Sequence, residues 1–234
     1  MYIYPPSLVP KNPNLYYFVD VYYWIPFLRY FWNSIFVSLI VVASNIVFNS
    51  MAAFALTHSF RGKKMIILIY LGAMMIPFQT TIIPAFLITK NLRLLNSPFG
   101  LALPLLSTII CIFVFKSSFD TVPSSLIDAA RIDGLPEWKM IYKIFLPLSK
   151  PAIATNVILS FIWSWNNFLW PLIIIRERNM QTLPLGLSRF LGYFEQSSGQ
   201  IYAFCLMVVA PVLLVFLLSQ KSFIRSMVSG AIKG

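Results

Sequence analysis

The sequence predicts an all-α membrane protein, a polytopic helical bundle with five spans in this chain. Three observations carry that prediction. Of 234 residues, 59% are hydrophobic and 11% charged, with a mean hydropathy of +0.78, whereas a soluble domain carries roughly a quarter charged residues. Five windows hold no Asp, Glu, Lys or Arg: Asn33 to Thr57, Met65 to Thr89, Asn96 to Phe115, Pro151 to Ile175 and Ile201 to Ser219. Each is long enough to cross about 30 Å of hydrocarbon as a helix rising about 1.5 Å per residue. The apolar stretches run continuously instead of alternating, which fits spanning helices and not barrel strands.

Residues 1–32 read as an external segment leading into the first span, and residues 33–234 as one transmembrane domain. The prolines of "YPPSLVPKNP" favour extended backbone, and the aromatic run "LYYFVDVYYWIPFLRYFW" holds Asp20, Pro26 and Arg29. That mixture suits a membrane interface better than a bilayer centre. The first two spans are joined by the basic turn "HSFRGKK", in which His58 reads as a capping or snorkelling group. Pro77 and Pro84 in the second window each remove a backbone donor and are expected to bend the helix. A charged loop at about 116–150 follows the third span, and a loop at about 176–200 follows the fourth.

Lys and Arg set the orientation. Eleven lie in "HSFRGKK", the 116–150 loop and the C-terminal tail, against seven in the segments on the other side. The bias places the charged loop and the C-terminus in the cytoplasm. With five spans the N-terminus then lies outside, and nothing before Asn33 reads as a signal peptide or a span, so a further helix is expected upstream of Met1.

Several chemistries lack their residues. The chain has no GxxxxGK[ST] phosphate cradle, no HExxH, no paired CxxC and one histidine, so neither a nucleotide site nor a multi-histidine metal site is expected. The spans carry no acidic or basic residue to serve as an ion or proton relay. Cys111 and Cys205 fall inside apolar windows and read as packing residues. The net charge of +11 flanks the spans instead of forming one patch, which speaks for membrane topology and against nucleic acid.

The polar residues within the spans form a pattern. Asn156, Ser160, Trp163, Asn167 and Trp170 recur at spacings of four, three, four and three, which keeps them on one stripe of a continuous helix. Such a stripe can line a wet path and meet a sugar, or it can bond neighbouring helices with its aromatics at the headgroup level. Asn45 and Asn49 make a second, shorter stripe on the first span.

The charged loop is the most informative stretch. In "SSLIDAARIDGLPEWKMIYKIFLPLSK" the serines and Asp128 approach a capping box, with Leu126, Ala129 and Ala130 on one small apolar face. Gly134 is expected to end this helix and Pro136 to begin a second. That second helix would carry Trp138, Ile141, Tyr142 and Phe145 on an apolar face, and Lys139, Lys143 and Lys150 on another. Asp128, Ala129, Ala130, Gly134, Ile144, Leu146 and Pro147 stand at the spacing of the EAA loop of ABC importer permeases, with Asp in place of the usual Glu. "NSPFGLALP", "SWNNFLWPL", "TLPLGLSRF" and "SGAIKG" extend the resemblance to the carbohydrate importers of the MalG-like type, over about residues 4–234.

The resemblance implies the fold of a type I importer permease, whose members have six helices. It implies a second homologous permease, two ABC ATPase subunits that use ATP and Mg, and an external sugar-binding protein. The chain itself is expected to bind no cofactor and to catalyse nothing. The seven loop residues would take force from an ATPase, and Asn156, Ser160, Trp163, Asn167 and Asn45 would face the substrate path. An ion-coupled carrier or channel, a membrane-bound enzyme and a non-transporting assembly subunit are the rival readings.

Overall fold

In the computed structural model, described for residues 15–193 and 198–231, the described residues form helices and no strands. Helix α1 covers Tyr16–Trp24, and α2 is the long span Phe27–Thr57. Three further spans are bent pairs. Helices α3 (Lys63–Met74) and α4 (Phe78–Asn91) meet at 100°, α5 (Pro98–Leu105) and α6 (Ile109–Phe119) at 57°. After the short helix α7 (Ser124–Ile132) come α8 (Glu137–Leu148) and α9 (Lys150–Trp165), bent by 90°. Helices α10 (Leu169–Ile174) and α11 (Leu183–Tyr193) lead to α12 (Ser198–Ala231), apolar through Leu217.

Among the described residues two helices are long and apolar enough to cross a membrane, or up to five elements if each bent pair is one span, and their shapes differ from straight rods. Pro77 carries the sharpest bend: with ψ of 139° it is extended, and it caps α4 instead of continuing α3. Pro84 lies inside α4 and Pro211 inside α12 without ending either helix. The fourth window does not run to Ile175. Helix α9 stops at Trp165, because Asn166 to Phe168 leave helical geometry before α10 begins. Residues 15–32 are largely helical, and the helix of the first span begins at Phe27, six residues before the window from Asn33. The first fourteen residues, with the proline-rich stretch, lie outside the described residues. The 176–200 loop contains α11, and α12 continues through most of the C-terminal tail.

Three clusters hold the bundle together. At one end Phe54, Phe115, Phe119, Met140 and Phe145 interlock, with the Phe54 and Phe119 rings edge-on to Phe145 at 5.0 and 5.1 Å. At the other end Val21, Phe27, Tyr30, Trp165, Phe190 and Phe204 pack α1, α2, α9, α11 and α12 together. Between them Val37, Val41, Leu101, Trp170 and Ile174 join α2 to α5 and α10. Aromatic side chains bury much area with few rotatable bonds, which suits this role. Helix α3, by contrast, buries no residue, and Met65, Leu68 and Leu71 stand outward. An apolar face of that kind fits lipid or a membrane partner.

Candidate functional site

Helix α7 and the first turns of α8 project at the end where Phe54 and Phe119 sit. Its start departs from the expected capping box: the N-cap position is Pro123, no side chain caps the helix, and both serines are already helical. Its end is as the residues dictate. Gly134 adopts φ of +68°, the Gly134 N–H donates to Arg131 O at 3.0 Å, and the Leu135 N–H donates to Ala130 O at 2.9 Å. This is a Schellman closure, in which a left-handed residue satisfies the last carbonyls of the helix. A side chain at 134 would meet no atom within 4 Å, so glycine serves the backbone and not a crowded space.

Helix α7 turns Ala130 and Ile127 into the core while Leu126, Ala129 and Ile132 remain exposed, Ile132 at 87%. Asp128 is exposed, its Oδ1 3.7 Å from Arg131 Nη1. Of the remaining loop residues, Ile144 and Leu146 pack against the core and Pro147 is exposed. The structure thus divides the seven predicted residues: Asp128, Ala129, Gly134 and Pro147 at the surface, Ala130, Ile144 and Leu146 behind them. Helix α8 keeps Ile141 and Phe145 inside but leaves Trp138 and Tyr142 outside, because a π turn at Ile141–Phe145 shifts the helical register.

Glu137, not singled out in the sequence, and His58, expected only to cap or snorkel, anchor this end. Glu137 accepts from Arg131 Nη2 at 3.0 Å, and its other oxygen lies 2.9 Å from His58 Nε2. The Arg131 hydrogen bond, more than any other influence, holds the Glu137 carboxyl below the ordinary glutamate value, with His58 adding in the same direction. His58 Nδ1 lies 3.0 Å from Phe54 O, so His58 caps its own helix while reaching across to α8. The visible sequence signal was only Glu137 directly after Pro136, a favoured acidic position in a first turn.

The expected polar stripe is not one face. Asn45, Asn156 and Ser160 are at most 1% exposed, packed inside the chain. Asn45 donates to Val41 O at 2.8 Å and to Leu105 O at 2.6 Å, and its Oδ1 accepts from Thr108 and Asn49. Ser160 Oγ lies 3.8 Å from Cys111 Sγ. Asn156 donates to Ala152 O, and its Oδ1 has no hydrogen-bond partner among the described residues. Trp163 is half-buried on α9 and Asn167 lies past its end, where Asn167 Oδ1 accepts from the Trp170 N–H at 3.3 Å. Trp170 is wholly buried and donates to Gly100 O at 2.9 Å. The break at Asn166 to Phe168 separates Asn167 and Trp170 from Asn156, Ser160 and Trp163 on α9.

A family model described as "Binding-protein-dependent transport system inner membrane component" matches residues 15–229. The arabinooligosaccharides transport system permease protein AraQ of Halalkalibacterium halodurans is 35% identical over 234 residues, covering 99% of this chain and 82% of its own. The lactose transport system permease protein LacG of Rhizobium radiobacter is 30% identical over 87% of this chain and 74% of its own. The sn-glycerol-3-phosphate transport system permease protein UgpE of Salmonella typhi is 32% identical over 87% of this chain and 73% of its own. A solved bacterial ABC transporter involved in the import of the acidic polysaccharide alginate contains a chain that superposes with a TM-score of 0.81 at 26% identity, over 92% of this chain and 82% of that one.

Proposed function

The chain belongs to the family of binding-protein-dependent transport system inner membrane components, and from that membership we propose that it is the permease subunit of an ABC importer for a sugar or sugar derivative. It is a multi-pass inner-membrane protein and acts in translocation, not as an enzyme. A second, homologous permease completes the path, an external binding protein delivers the substrate, and two ATPase subunits hydrolyse ATP with Mg. The eleven-to-seven bias of basic residues puts α7, α8 and the C-terminus on the cytoplasmic side.

One observation carries the coupling role. Helix α7 ends in a Gly134 closure and presents Leu126, Ala129 and Ile132 outward at the end of the bundle, beyond the apolar spans. Among the described residues nothing covers that row, its small Ala129 admits close approach, and its other face is fixed in the core by Ala130. A rigid knob of this kind suits a groove on an ATPase. Closure of the ATPase pair would then move α7 and α8 as one body and tilt the spans between inward and outward states. For the substrate path Trp163 and Asn167 remain the candidates at the surface, while Asn45, Asn156 and Ser160 hold the helices in register.

The experiment is uptake into proteoliposomes holding the permease pair, the ATPase subunits and the binding protein, with arabino-oligosaccharides, lactose and sn-glycerol-3-phosphate as the first panel. ATP-dependent uptake is expected, with Ala129→Cys cross-linking to the ATPase. Solute flux through the permease pair alone without ATP would make this chain part of a channel or carrier instead.

A further inference from the structure

At the end of the bundle opposite α7 lies a cavity of about 500 Å³, bounded by Trp24, Tyr30, Arg178, Gln181, Arg189 and Phe190 among others. Its walls are largely apolar, yet two guanidinium groups border it. Neither Arg178 nor Arg189 has a carboxylate within salt-bridge distance among the described residues. Arg178 Nη2 donates a long hydrogen bond of 3.5 Å to Trp24 O. Gln181 is 1% exposed, and its side-chain amide nitrogen has no hydrogen-bond partner among the described residues. Buried donors are normally satisfied, so among the described residues the cavity offers an unused donor beside two guanidinium groups that have no carboxylate partner there.

Its position in the bilayer follows from the residues around it. Tyr30 sits near the start of α2, and Tyr16, Tyr22, Tyr23, Trp24 and Trp32 are all exposed at this level. Exposed Tyr and Trp around a span's end mark the headgroup region. The wall is rigid, because a Cβ on Gly186 would stand 2.4 Å from the Tyr30 ring, so α11 lies directly on α2.

We propose that this cavity holds the phosphate-bearing headgroup of an anionic phospholipid. The guanidinium groups match phosphate oxygens in geometry and charge, Gln181 supplies a further donor, and Trp24, Ile25 and Phe190 line the apolar part of the site, against which the glycerol and upper acyl chains rest. A phosphate free in solution shares the headgroup's charge but would gain nothing from that apolar lining. The site is separate from the coupling helices and rests only on the chain crossing a membrane.

The test uses the complete transporter in nanodiscs of phosphatidylcholine mixed with phosphatidylglycerol, with retained lipid counted by native mass spectrometry after extraction. The wild-type complex retains phosphatidylglycerol, and Arg178→Gln with Arg189→Gln weakens retention roughly thirtyfold, the scale of one cation–lipid attraction per arginine. Arg178→Lys with Arg189→Lys keeps most of it, which separates lost charge from lost folding, and Lys90→Gln, outside the cavity, leaves it unchanged. Equal phosphatidylglycerol retention by the wild type and the double glutamine variant overturns the proposal. So does saturable binding of inorganic phosphate at these arginines with no lipid retained. Unchanged lipid retention together with weakened affinity for the external binding protein would also overturn it, assigning the arginines to a protein contact.

Discussion

His58 Nε2 and Glu137 Oε2 lie 2.9 Å apart, joining residues 79 positions distant in sequence. His58 closes the end of α2, and Glu137 opens α8 immediately after the Gly134 bend. Through Arg131, at 3.0 Å from the other Glu137 oxygen, the contact continues onto α7. Exposed ion pairs contribute little to stability, about 0 to 1 kcal/mol each. Their value here is geometric: they tie α7 and α8 to the end of α2 beside the aromatic cluster.

Removing either side of that contact should therefore loosen coupling more than folding. Glu137→Gln and His58→Ala are each expected to lower sugar transported per ATP hydrolysed about two- to fivefold, with membrane insertion unchanged, on the scale of a modest coupling energy. The double variant should be no worse than the worse single, because both remove one interaction. Additive losses would show that the two residues act separately.

Acidity gives a second check. The folded Glu137 carboxyl titrates below its ordinary value of 4.5, so its contribution is complete above that value and fades as pH falls through the lower folded one. Hydrogen exchange of the α7 and α8 amides, corrected for intrinsic rates, should not rise between pH 7 and pH 5 and should rise once the pH falls below 4.5. In Glu137→Gln the faster exchange should already be present at pH 7. A wild-type rise between pH 7 and pH 5 would point to a different titrating group.

Gly134 tests the backbone alone. Its φ of +68° costs a residue with a Cβ about 1 to 2 kcal/mol, least for asparagine and most for a β-branched side chain. Since 134 has open space around it, transport should follow glycine, then asparagine and aspartate, then alanine, with Gly134→Val lowest although inserted. Uptake by Gly134→Val at the wild-type rate would dismiss the bend as a requirement.

The helix at 124–132 and its glycine closure were legible because their signals are local. A proline, a glycine and a small-residue face fix α7 within eleven positions, whatever the rest of the chain does. The spans were legible as apolar lengths, yet their bends were not, since Pro77 breaks a helix and Pro84 does not; the difference lies in packing that no single window contains. The polar stripe failed for a related reason. Spacing at 3.6 residues assumes an unbroken helix, and the interruption after Trp165 carries neither proline nor glycine to announce it. His58 and Glu137 were beyond reach because only the tertiary fold brings them together.

Asn45 illustrates what the buried polar residues do instead. It sits at the start of a π turn, Asn45–Asn49, and bonds across to Leu105 O and Thr108, just where α5 breaks from α6. Asn49 continues the network to Ser107 at 2.7 Å. Interhelical bonds in membranes average about 0.6 kcal/mol each. Asn45→Leu, which removes several at once, should cost about 1 to 3 kcal/mol, the penalty for stranding buried partners. A lower melting temperature with an unchanged substrate preference is the expected result; a changed preference would return Asn45 to the substrate path.

Gly100 gives the sharpest steric prediction. A Cβ there would stand 2.1 Å from the Leu94 carbonyl oxygen, a backbone atom with nowhere to go. The same glycine is held from two sides: its N–H donates to Ser97 Oγ at 3.0 Å, and its carbonyl accepts from the wholly buried Trp170. Asn96 completes the corner, accepting the Arg176 N–H at 2.6 Å from the far end of α10. Gly100→Ala must shift the backbone of α5 and with it the anchor of α10, so a loss beyond the usual 1 to 3 kcal/mol of overpacking is expected. Trp170→Phe, which keeps the ring and removes only the indole donor, should cost about 1 kcal/mol. If Gly100→Ala inserts and melts like the wild type while Trp170→Phe does not, the corner is held by the indole and not by the close backbone approach.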